Sequence, residues 1–136
     1  MPADTTKKLF TVDDYDRMSE VGILHPGDRT ELIHGEVLHK EPTNPPHRSM
    51  VSRATQTLVT LFSGKAEVAV RLPVRLNPYS QPEPDISLLI PRKDFYKSRH
   101  PEPEDVLLVF EIAHTTLDFD RTVKLEMYAK AGIREV

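Results

Sequence analysis

The chain has no cysteine. That removes disulfides, thiol nucleophiles and cysteine-ligated zinc or iron–sulfur centres from consideration. Glycine is scarce, with 5 residues scattered along 136, and no phosphate-binding glycine loop, dinucleotide fingerprint or Gly-x-Ser-x-Gly elbow occurs. Hydrophobic runs are short. None approaches the roughly 20 residues that cross a bilayer, and the Met1-Pro2-Ala3-Asp4 start carries no signal-peptide apolar region, so a cytoplasmic protein without a membrane partner is expected. An excess of positive charge is missing too. The net charge is −3, which argues against a protein that coats nucleic acid, although an acidic cleft becomes cationic once a metal enters it.

Proline, by contrast, is abundant, at 12 residues. It clusters in connections, at Pro42, Pro45 and Pro46, at Pro78, Pro82 and Pro84, and at Pro91, Pro101 and Pro103, which marks stiff loops. Between them the expected order is α-β-α-β-β-β-α in a single domain spanning residues 1–136. Thr11 and Asp14 frame a capping box for a first helix that ends near Val21 and Gly22. Residues 31–41 read as a strand with a turn-like break at His34-Gly35. Residues 47–62 carry Met50, Val51, Ala54, Leu58 and Leu61 on one helical stripe. Residues 67–76 alternate with the period of a strand, and Pro73 inside them suggests an edge or a bulge. Residues 85–90 and 106–113 are more uniformly apolar, as central strands covered on both faces would be. A last helix is expected at about 120–131, with Gly132 as its stop.

Two carboxylates interrupt the apolar runs. Asp85 opens one and Glu111 lies deep in the other, where an ionised side chain is costly unless a cation, a metal or hydrogen bonds compensate it. Two such acids on adjacent strands can hold a hard divalent cation, with the carbonyl of Ile112 as a third ligand. Lys124 follows between the core residues Val123 and Leu125, placed to lean back toward the end of the Glu111 strand. In that constellation Mg²⁺ or Mn²⁺ polarises a phosphate and acidifies a water, and the ammonium orients the water or offsets growing charge. Glu31 and His47 extend the set. Each residue also has a plainer reading: Asp85 as a turn residue, Glu111 in a structural ion pair, Lys124 on a solvated face, Glu31 paired with Arg29, and His47 as a helix cap. Arg71, Arg75 and Arg121 are candidate phosphate contacts. The remaining histidines show no His-x-x-x-His spacing.

Four stretches taken together carry a resemblance. Glu31-Leu32-Ile33-His34-Gly35-Glu36-Val37, Pro82-Glu83-Pro84-Asp85, the run through Val109-Phe110-Glu111-Ile112, and the segment opening Asp120-Arg121-Thr122-Val123-Lys124 occur in the order found in the Uma-type restriction-endonuclease family. That family lies within the PD-(D/E)XK nuclease superfamily, and the chain resembles it from about residue 8 onward. The resemblance implies an α/β, restriction-endonuclease-like core, a mixed β-sheet flanked by helices. It places the metal carboxylates on Asp85 and Glu111. The superfamily's usual lysine, two residues past the second acid, would fall on Ala113; the resemblance moves it to Lys124, with Glu31 and His47 as further polar positions. Relatives continue past Ile133 into another strand, so a C-terminally shortened domain is expected, and the uncovered sheet edge favours a homo-oligomer. The function implied is a Mg²⁺- or Mn²⁺-dependent endonuclease acting on nucleic acid, DNA ahead of RNA. The alternative is a catalytically weak or inactive nuclease-fold module that binds nucleic acid or protein.

Overall fold

The computed structural model describes residues 5–40, 43–112, 123–133 and 135–136. Helix α1 (Val12–Glu20) begins as its sequence requires: the Thr11 hydroxyl accepts from the Asp14 N–H, and the Asp14 carboxylate accepts from the Thr11 N–H. The reciprocal pair satisfies two amides that a helix start leaves open. Strands β1 (Thr30–Ile33) and β2 (Glu36–His39) then form an antiparallel hairpin. The break expected inside one strand is its turn, where His34 and Gly35 both take positive φ (50° and 80°), as tight hairpin turns need.

Helix α2 (Pro45–Phe62) starts two residues before the expected position. Pro45 and Pro46 occupy its first turn, where proline costs no hydrogen bond, and Asn44 caps it by accepting from the His47 N–H at 2.9 Å. His47 is therefore not the cap. Its side chain is released for another use.

Strands β3 (Glu67–Val70), β4 (Ile86–Leu89) and β5 (Val106–Phe110) make a three-stranded antiparallel sheet in that order. The α/β architecture is thus observed, its strands divided between two small antiparallel sheets. An antiparallel bridge between Leu32 and Gln81 connects β1 to the segment leading into β4. Two strand expectations change. The alternation over 67–76 outlasts its ladder: β3 stops at Val70, Arg71 turns left-handed (φ 53°), and the Val74 N–H donates to the Pro82 carbonyl instead. Strand β4 is central and buried throughout, but β5 is an edge among the described residues, with Leu107 45% exposed. The Val109 N–H on that edge donates to the Glu135 carbonyl.

Side chains divide by strand parity. Ile86 and Leu88 pack with Val51 and Leu58 of α2. Leu89 and Val109 point the other way, into a core with Met127 and Tyr128 of the last helix, α3 (Leu125–Lys130). A 3₁₀ turn (Pro103–Asp105) leads into β5. The start expected for the last helix, Asp120, lies outside the described residues, as do Ala113 and Arg121.

Candidate active site

Glu111 follows Val109 by two residues, so it leaves β5 on the α3 side of the sheet. There it meets that helix. Lys124 immediately precedes α3 and Tyr128 lies four residues on, a spacing that puts both on one helical face. The Lys124 Nζ stands 3.0 Å from Glu111 Oε2, and the Tyr128 hydroxyl donates to Glu111 Oε1 at 3.2 Å. The same ammonium donates to Glu31 Oε1 on β1 at 2.8 Å. Glu31 Oε1 also accepts the Glu83 N–H at 3.0 Å. One buried cation, 3% exposed, thus joins two acids that lie far apart in the chain.

Asp85 is the centre of a second group. Its Oδ2 accepts the Ile112 N–H at 2.8 Å and lies 3.5 Å from His47 Nε2, and its carbonyl accepts the Arg71 N–H. Register ties the groups together. Ile86 pairs with Phe110, so Asp85 and Glu111 stand side by side just past the last paired residues of β4 and β5. All five anticipated site residues, with Ile112, lie at this end of the sheet. Tyr128 was not anticipated. Its spacing from Lys124 was the available signal, together with the need of a buried phenol for a partner.

Burial sets the electrostatics. It pushes the Glu111 carboxyl up to about 7, the Glu31 charge adds to the rise, and Lys124 and Lys40 oppose it. Burial pulls Lys124 down, but the charges of Glu111 and Glu31 more than reverse this, and the amine is held above its ordinary value as an ammonium. Tyr128 is raised well above its usual range by burial and by the same two carboxylates, so it remains a neutral donor. Glu83 is raised by burial too, against the nearby Lys40, Arg29 and Arg71.

The donor chemistry suits a hard cation held by few protein ligands. Asp85 and Glu111 supply carboxylate oxygens, and among the described residues no hydrogen bond falls on Asp85 Oδ1. No group of three or more acidic or imidazole side chains among the described residues forms a cage.

A family model, Uma2, whose description reads "Putative restriction endonuclease", matches residues 12–136. A comparison with curated proteins finds no match.

Proposed function

The chain belongs to the Uma2 restriction-endonuclease family, and from that premise we propose that it is a Mg²⁺- or Mn²⁺-dependent endonuclease that hydrolyses phosphodiester bonds in DNA. Asp85 and Glu111 are the metal carboxylates of this reading, with the Ile112 carbonyl beside them. A bound divalent ion would supply Lewis acidity to the phosphate and acidify a water. The protein's own residues do the rest. Lys124 keeps its proton because two carboxylates surround it; it can orient a water and stabilise charge accumulating on phosphate oxygens. Glu31 positions that ammonium through its 2.8 Å contact. His47 and the Ile112 amide fix the Asp85 carboxylate from two sides, and Tyr128 fixes that of Glu111.

The observation that carries the reading is the single ammonium shared by Glu31 and Glu111. It fixes a positive charge 3.0 Å from Glu111, one of the two metal carboxylates of this reading, so a phosphate held at Asp85 and Glu111 would meet it.

The test is nicking of supercoiled plasmid with Mn²⁺, Mg²⁺ or EDTA, run beside Asp85→Ala. Metal-dependent nicking that disappears in the variant supports the proposal. Absence of nicking with either metal favours the second reading, a catalytically inactive module that binds nucleic acid or protein. One feature speaks for that reading: both Glu111 oxygens already accept hydrogen bonds within the protein.

The proposal takes the chain as one domain in the cytoplasm. No described helix is long and apolar enough to cross a membrane. It also includes a homo-oligomer formed along the β5 edge, where Leu107 is exposed.

A further inference from the structure

The sheet end that carries the two acids also carries cations. Val70, Ile86 and Phe110 are successive cross-strand partners, so the next residues outward, Arg71, Asp85 and Glu111, stand in a row of one cation and two anions. The Arg71 N–H extends the pairing by donating to the Asp85 carbonyl at 3.1 Å. Arg71 does so with φ at 53°, a left-handed backbone that a side chain makes unfavourable and that glycine or asparagine would take more cheaply. Strain of this sort tends to persist where a site needs it.

The opposite flank belongs to the β1–β2 hairpin. Thr30 pairs with His39, and just beyond them the Lys40 N–H donates to the Arg29 carbonyl at 2.7 Å. The Lys40 ammonium reaches the Glu83 carbonyl at 2.5 Å. That acceptor is neutral and takes one of three N–H groups, so two remain. Lys40 and Arg71 thus bracket the Glu83–Asp85 stretch.

Both charges act on Glu83 from a distance. Neither forms an ion pair with it among the described residues, and the Arg71 guanidinium has no hydrogen bond or ion pair among them at all. Arg75 differs. Its guanidinium is committed to Asp16 at 2.7 Å, with Asp13 and Gln81 close by. On a chain of net charge −3, two cations without an ion pair among the described residues stand beside a carboxylate pair.

We propose that Lys40 and Arg71 form a phosphate clamp, gripping the DNA backbone on the two sides of the phosphate that faces Asp85 and Glu111. The proposal rests on the nuclease reading above. It divides the labour at this end of the sheet, with carboxylates for the reacting phosphate and outer cations for its neighbours. Such contacts fix the register of the strand without reading sequence.

The test is binding of a short DNA duplex, followed by fluorescence anisotropy. Ca²⁺ replaces Mg²⁺, and salt is varied between about 50 and 200 mM. Each lost phosphate contact lowers the slope of log K against log salt by roughly 0.9. Lys40→Met with Arg71→Asn is expected to lower it by about 2 and to weaken binding equally across sequences. Asparagine tolerates the left-handed backbone, and Arg71→Lys, which keeps the charge, should restore about one unit of slope. If the parent binds DNA and the double variant keeps the parental slope, the clamp is wrong while the nuclease reading stands. If the parent neither binds the duplex nor nicks plasmid, both fall together.

Discussion

Replacing Lys124 with methionine isolates the electrostatics of the site. Methionine retains an unbranched, flexible stem that fills the same space, so the change removes charge with little loss of packing. Lys124 lies 2.8 Å from Glu31 Oε1 and 3.0 Å from Glu111 Oε2, and lysine and Glu31 are both buried. Removing one partner from a buried ion pair costs about 3–5 kcal/mol, because the other is left uncompensated. The variant has a means of escape that depends on pH. Glu111 already sits at about 7 against an ordinary 4.5, raised by burial first and by Glu31 second, and Lys124 is the largest influence holding it down. Without the ammonium it rises further.

A folded-state pKa above the unfolded value gives stability that is complete below the unfolded pKa and is lost as pH climbs through the folded one. Each pH unit in that window is worth about 1.4 kcal/mol. For the parent the window closes near 7; for Lys124→Met it extends higher. The lysine's own contribution in the parent persists to alkaline pH, since its folded value is raised above 10.5. The stability gap between parent and variant should therefore be smallest near pH 5, where Glu111 is protonated in both folds and only Glu31 is left uncompensated, and should widen by about 1.4 kcal/mol for each pH unit above about 7, where Glu111 ionises in the parent alone. In thermal melts the widening from about pH 7 to pH 8 is roughly 4–7 °C. Urea unfolding at several pH values gives the same quantity without heating. A gap that is flat across pH, or that narrows as pH rises, would refute the coupling of Glu111 to Lys124.

The same variant should abolish metal-dependent nicking while leaving Mn²⁺ affinity, measured by water proton relaxation, within a few-fold of the parent, because the ammonium is not a ligand; a large loss of affinity would contradict that role. Tyr128→Phe removes one hydroxyl from a fully buried ring and the 3.2 Å bond to Glu111. It should cost about 1–2 kcal/mol in urea unfolding, and a change within about 0.5 kcal/mol would mean that the hydroxyl does not hold the carboxylate. Gly35→Ala forces a side chain into φ +80° and sets its Cβ 2.7 Å from Leu9 Cβ. A loss of about 1–3 kcal/mol is expected, with the N-terminal segment around Leu9 gaining protease sensitivity; an unchanged melting temperature would contradict the turn geometry.

Where local chemistry decides a structure, the sequence was readable. Thr11 and Asp14 specify a capping box by spacing alone, and the structure contains it. The apolar run 85–90 specifies a buried strand, and β4 is buried at every position. The failures share one cause. Alternation over 67–76 reports which side chains are buried, not which backbone groups are paired. Val74 and Leu76 reach the core from irregular chain whose amides bond to the Pro82 and Ser80 carbonyls, so the pattern outlives the strand. The uniform apolarity of 106–113 likewise cannot tell a central strand from an edge with exposed Leu107. The hairpin within 31–41 was signalled only by Gly35, since four-residue strands leave too little alternation on either side to identify two elements.

The site divides along the same line. Asp85 and Glu111 stood out because a charge in an apolar run is anomalous wherever the run folds. Lys124 did not, since its effect depends on where α3 docks. That docking is achieved by Met127 and Tyr128, which bury against Leu89 and Val109. Once Tyr128 is seated, helical geometry fixes the residue four positions earlier on the same face, and the ammonium arrives between Glu111 and Glu31. The core of α3 thus aims the cation. A cavity made there, as in Met127→Ala, should disturb Lys124 without touching it. Its signature would be nicking lost together with an upward extension of the pH window in which Glu111 contributes stability, as in Lys124→Met. If Met127→Ala lowered stability by the about 2–5 kcal/mol usual for a core truncation yet kept both the nicking and the pH profile at a temperature well below its melting point, α3 would be a support for the core and not the element that places the lysine.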